Sequence, residues 1–156
     1  MEPNEPSARL LMQARELGEK IGYQFTDVSL LDAALTRVAY AGEHGIAADK
    51  TMDRYAVIGD AVLDVAVISH LLESGEYDKG IITQKKISLV NMSVFRRIAE
   101  QIGLPDYVHW GKGELQTRIW ESGRVSAECF EAVAGAAYLD GGMAAVSAIA
   151  AASGLF

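Results

Sequence analysis

Three carboxylates stand on runs of residues that otherwise read as apolar helix. Asp60 lies within Tyr55-Ala56-Val57-Ile58-Gly59-Asp60-Ala61-Val62-Leu63, and Glu128 and Glu131 lie within Glu128-Cys129-Phe130-Glu131-Ala132-Val133-Ala134. The spacing of three places Glu128 and Glu131 on one helical face, and the spacing of four does the same for Asp60 and Asp64. Apolar neighbours imply partial burial of Asp60 and Glu131, where an unpaired carboxylate is costly. If the two helices pack with these acids facing each other, the like charges converge, and a divalent cation held by oxygen ligands would relieve them.

The elements that must position these acids are helical throughout. Leu10, Leu11, Ala14, Leu17 and Ile21 recur at three and four between Ser7 and Ile21, with Gly22 placed as a stop. A short helix follows Thr26 or Asp27 and buries Leu30, Leu31, Ala34 and Leu35. Residues 41 to 50 read as a loop. Met52 to Leu72 is a long apolar helix interrupted by Gly59, where a glycine is unfavourable unless a neighbour comes close. After a break at Gly75 to Lys79, Ile81 to Val90 carries basic residues outward. Asn91 or Ser93 caps a helix running to Gly103. Leu104 to Gly123 reads as the longest irregular connection. Ser126, or Ser122 before it, opens the acid-bearing helix, which ends at Gly141-Gly142, and Ala144 to Ala152 forms a last helix. No alternating run of strand length appears, so an all-α fold is expected.

At 156 residues the chain is sized for one domain, 1–156, with a core spanning about 15–150. The single Cys129 can form no internal disulfide, and there is neither a leading signal-like run nor an uncharged apolar stretch of spanning length. A cytoplasmic protein without membrane association is the expectation. The net charge of -7 argues against a large polyanion-binding surface, yet Lys79, Lys85, Lys86, Arg96 and Arg97 cluster enough to make a few phosphate contacts. Zinc-like Cys/His spacings and glycine-rich phosphate loops are absent from the sequence. Glu-Xaa-Xaa-His pairs of the di-iron type are absent too, and His44, His70 and His109 read as packing or surface residues.

In order and content these segments resemble the catalytic domain of ribonuclease III. Ala34-Leu35-Thr36-Arg37-Val38-Ala39-Tyr40 stands where that family has an Ala-Leu-Thr-His-Ser-Tyr-like turn. Met52 to Leu63 is similar to its Asn-Glu-Arg-Leu-Glu-Phe-Leu-Gly-Asp-Ala-Val-Leu helix, and Lys79-Gly80-Ile81-Ile82-Thr83 to its Glu-Gly-Xaa-Leu-Thr segment. Glu128 to Gly142 is similar to its Asp-Xaa-Phe-Glu-Ala helix ending in Tyr-Leu-Asp-Gly-Gly.

The resemblance implies an all-helical homodimer that cleaves double-stranded RNA with Mg2+ or Mn2+. Transferred by position, Asp60 and Glu131 become catalytic and metal-binding residues. Glu128 becomes a metal ligand one methylene longer than the family's Asp. Ala56 stands where the family has its first metal-binding Glu, Lys79 replaces an acid, and Arg37 replaces the usual His. Asp53, one turn before Ala56, is a possible accessory acid acting through a water. Lys79, Lys85 and Lys86 are the candidate RNA contacts. Because the sequence ends just after this domain, most phosphate contacts are expected from the domain itself. Reduced nuclease activity is the first reading, and a catalytically inactive ribonuclease III-like dimeric RNA-binding or structural protein is the alternative.

Overall fold

The structure is a computed structural model and describes residues 5–156; the first four residues of the expected domain lie outside the described residues. Eight α-helices follow in chain order: α1 (Ala8–Ile21), α2 (Val28–Ala34), α3 (Val38–His44), α4 (Asp53–Glu73), α5 (Lys79–Leu89), α6 (Met92–Ile102), α7 (Lys112–Thr117) and α8 (Gly123–Ala152). Three short 3-10 turns, Ala48–Lys50, Leu104–Tyr107 and Ile119–Glu121, join them. The described residues contain no strand, only an isolated bridge between Thr36 and His109.

Local chemistry sets half of the helix starts. Ser7, Asp27, Asp78 and Asn91 each accept a hydrogen bond from a first-turn N–H, at 3.1, 3.0, 2.9 and 3.0 Å from Leu10, Ser29, Ile81 and Val94 respectively. These satisfy donors that a helix N-terminus leaves open. Asp78 starts α5 two residues earlier than the apolar pattern alone suggests. Gly22 and Gly103 stop α1 and α6 in the left-handed conformation.

The centre is α8 packed along α4, with α6 and α2 on its other sides. Its stretch from Ala132 to Ala137 is completely buried, and small side chains there let neighbours approach closely. At Gly142 the backbone turns to φ 69°, ψ −163°, so the helix breaks where the glycine pair is placed and resumes on a new axis. By length and composition α4 and α8 are apolar enough to cross a membrane; here they form the packed central pair.

Three expectations are corrected. The span 41–50 is not a plain loop, because α3 continues to His44, whose ring stacks on Tyr40 with centroids 3.9 Å apart. The Leu104 to Gly123 segment holds α7 and two 3-10 turns, organised by long-range hydrogen bonds rather than by an apolar stripe. Of the two starts expected for α8, Ser122 holds and Ser126 does not. Ser126 is buried and its hydroxyl donates to the Trp120 carbonyl at 2.6 Å, and the helix starts after Ser122.

Candidate active site

The acids are positioned by two glycines that fix how α4 crosses α8. A β-carbon on Gly59 would overlap the backbone carbonyl of Glu131, and one on Gly135 would overlap the carbonyl of Tyr55. As α4 advances from Tyr55 to Gly59, α8 runs back from Gly135 to Glu131, so the helices are antiparallel at backbone contact. Asp60 follows the first of these contacts and Glu131 is part of it. That register brings the acids together.

Glu131 is half-buried, and its carboxyl pKa is pushed up to about 7 by burial first, then by the charges of Asp60 and Glu128. Burial is the larger cause, and the two neighbouring carboxylates add to it in the same direction. Asp60 corrects the expectation of burial: it is exposed, because the face of α4 it shares with Val57 and Ala61 is turned to solvent. Val57 is 76 % exposed and Val65 48 %, so Val57, Ala61 and Val65 form an open apolar stripe beside the acid.

Glu128 is drawn elsewhere. One oxygen lies 3.9 Å from Arg37 Nη1 and the other 3.4 Å from Arg124 Nε. Glu131 feels the charges of Asp60 and Glu128, yet among the described residues no group of three acid, His or Cys side chains closes into a ready cage for an ion. The charge coupling and the donor positions measure different things: the first extends through several ångströms, whereas ligation needs oxygens converging on one point.

The remaining expected residues fall outside this group. Asp53 is exposed in the first turn of α4, and the charges acting on Glu131 are those of Asp60 and Glu128, not Asp53. Ala56 is partly buried against the core. Asp64 pairs with Lys86 at 3.7 Å. Lys85 pairs with Glu76 at 3.4 Å, and Arg96 with Glu100 at 2.9 Å. Lys79 and Arg97 are exposed. The outward basic face is therefore partly neutralised by its own acids.

Sequence reasoning missed two participants. Glu114 grips Arg37, and the signal was its place three residues after Gly111, the spacing of a helix-opening acid: its Oε1 accepts from the Gly111 N–H at 3.1 Å. Asp140 accepts from the Tyr23 hydroxyl at 2.6 Å and from the Thr26 and Asp27 N–H groups at 2.8 and 2.9 Å, tying the α1–α2 connection to α8. Cys129 beside the acids is buried, and burial pushes its thiol up to about 12, so it stays a neutral packing group.

Both acid-bearing helices lie within the match to a family model described as Ribonuclease-III-like, which covers residues 27–153. The chain belongs to the ribonuclease-III-like family. Relatives of this ribonuclease-III-like domain include Ribonuclease 3 of Bdellovibrio bacteriovorus, 37 % identical over 129 residues that make up 82 % of this chain and 55 % of that protein. Ribonuclease 3 of Pseudothermotoga lettingae is 33 % identical over 94 % of this chain and 62 % of its own length. The chain thus spans little more than half the length of these curated relatives. Among solved structures it is similar to the nuclease domain of ribonuclease III from Campylobacter jejuni, with a TM-score of 0.78 and 27 % identity over 88 % of this chain and 93 % of that one. That neighbour is described as structurally flexible in the region involved in dimer formation. The all-α ribonuclease III catalytic-domain fold expected from the sequence is the fold observed.

Proposed function

We propose that this ribonuclease-III-like domain is a metal-dependent endoribonuclease acting on double-stranded RNA, working as a homodimer and at reduced activity. The observation that carries the reading is the α4–α8 crossing that sets Glu131 beside Asp60, with the Glu131 carboxyl raised to about 7 by burial and by the charges of Asp60 and Glu128. Such crowding is unfavourable for the fold alone and supports a site meant for positive charge.

The donors suit a hard divalent cation, Mg2+ or Mn2+, held chiefly through Asp60 and Glu131 with waters completing its shell. When bound, such an ion lowers the pKa of an attacking water and neutralises charge on the phosphate. Glu131, uncharged for part of the time near neutral pH, gives up its proton as positive charge arrives. Asp60, exposed at the lip of the crossing, faces a site open to solvent, which suits a polymer better than a small molecule. Lys79, at the open N-terminal end of α5, is the freest of the proposed RNA contacts; Lys85 and Lys86 would have to leave Glu76 and Asp64. The stripe of Val57, Ala61 and Val65 beside Asp60 supports a two-fold interface that sets two such sites side by side, one for each RNA strand. A cytoplasmic location without membrane contact completes the reading.

Reduced activity follows from Ala56, a methyl group where the family has an acid. A specific observation also favours the second reading, a catalytically silent dimeric RNA-binding or structural protein: both oxygens of Glu128 are engaged by arginines. Incubation of the pure protein with labelled double-stranded RNA and Mg2+ or Mn2+, beside Ala56→Glu, separates them. Slow cleavage by the native protein, faster in the variant, supports the nuclease; cleavage in the variant alone establishes the silent form.

A further inference from the structure

Arg37 is held more rigidly than any other cation near the acids. The segment from Leu35 to Arg37 lies against His109, with the His109 N–H donating to the Leu35 carbonyl at 2.8 Å and the Arg37 N–H to the His109 carbonyl at 3.2 Å. This fixes Arg37 at the start of α3. Its Nε and Nη2 both donate to Glu114 Oε2, at 2.9 and 2.7 Å. The two side chains are only 15 % and 13 % exposed. Glu114 is itself anchored by the Gly111 N–H, and the guanidinium lies over the Trp110 ring at 5.6 Å. The remaining nitrogen, Nη1, is left facing Met52 Sδ at 3.4 Å and Glu128 Oε2 at 3.9 Å.

We propose that Arg37 is a fixed internal cation of the carboxylate site, taking Glu128 as a second counter-ion beside Glu114 and thereby setting a low affinity for divalent metal. The inference rests on the metal-site reading above. A divalent ion using Glu128 as a ligand would sit within a few ångströms of a guanidinium of the same sign, and a charge clamped by Glu114 and Trp110 cannot swing away. An arginine is never deprotonated at working pH, so its charge is permanent, and Glu114 offsets only part of its repulsion of a nearby ion. Arg124, on the other oxygen of Glu128, is 77 % exposed and free to move into solvent, which leaves Arg37 as the determinant. Arg37 is a positioning residue: it acts on the metal through Glu128.

The test is the binding of Mn2+ alone, read from the electron paramagnetic resonance signal of the free ion. The native protein is compared with Arg37→Gln/Glu114→Gln, which removes the pair without orphaning a buried charge. Arg37→His at about pH 8 is the milder partner, because its imidazole is then uncharged and still able to donate to Glu114. Folding of each is checked by circular dichroism, and the Arg37→His comparison decides if the double variant does not fold. The dissociation constant should fall tenfold or more in both variants, and the gain should vanish when Glu131→Gln is added. An unchanged constant, with binding still abolished by Glu131→Gln, overturns the role of Arg37 while leaving the metal site intact. Absence of any Glu131-dependent Mn2+ binding in all three proteins overturns the role of Arg37 together with the metal reading.

Discussion

Gly59 lies so close to Glu131 that its missing side chain is what allows the Glu131 carbonyl to reach α4. The one residue that ordinarily weakens a helix interior is here the condition for bringing Asp60 and Glu131 together. Gly59→Ala should therefore destabilise the fold by about 1–3 kcal/mol through overpacking, even though alanine improves local helix propensity by about 1 kcal/mol. Urea denaturation measures the balance. A stabilised variant would show that the crossing has room to spare.

Glu131 makes stability depend on pH in a defined direction. Its folded pKa of about 7 lies above the ordinary value of 4.5, so the folded state holds the proton more tightly than the unfolded chain. The contribution favours folding below about pH 4.5 and is lost as pH rises to about 7. Glu131→Gln should accordingly stabilise the metal-free protein at about pH 8, by on the order of 2 kcal/mol after allowance for partial solvent screening. Its advantage should shrink toward about pH 5 as the native carboxyl protonates. Melting temperatures of the two proteins across this range give the comparison, and a difference independent of pH would contradict it.

Asp140 behaves oppositely. Burial works against its charge, but hydrogen bonds from the Tyr23 hydroxyl and the Asp27 and Thr26 N–H groups outweigh it and hold the carboxyl below its ordinary 3.8. Its stabilisation is present above that value and lost as pH falls through the depressed folded one. Asp140→Ala should cost about 1–2 kcal/mol at neutral pH by removing the acceptor of three donors, two of which water can reach. Chemical denaturation at neutral pH reads the loss.

Much of this arrangement was legible in the sequence, and the rest was not for physical reasons. Helices α1, α2 and α6 could be placed because their caps, Ser7, Asp27 and Asn91, act within three residues. The short α3 and α7 carry no such stripe and are shaped by distant partners, as in the Glu43 carboxylate accepting from the Lys112 N–H at 2.9 Å. Asp60, Glu128 and Glu131 could be singled out by spacing and apolar context. The solvent exposure of Asp60 could not, since apolar neighbours imply burial unless an apolar face is left open. Nor could the hold on Glu128, because Arg37 and its partner Glu114 are 77 positions apart.

The proposed dimer is assigned to the open stripe on α4. Val57→Asp should leave the melting temperature within about 2 °C, since an exposed position contributes little to the fold of one subunit, while halving the mass seen by light scattering. A native protein already monomeric at micromolar concentration would contradict the two-fold arrangement.

The most direct measurement is the initial rate of cleavage of labelled double-stranded RNA as Mn2+ is raised, for the native protein and for Glu131→Gln from parallel preparations. A slow rate that climbs with Mn2+ and falls at least a hundredfold in Glu131→Gln is the predicted result, equivalent to the loss of about 2.7 kcal/mol of transition-state stabilisation. Equal rates in the two proteins, or no cleavage by the native protein at any Mn2+ concentration, would contradict the account.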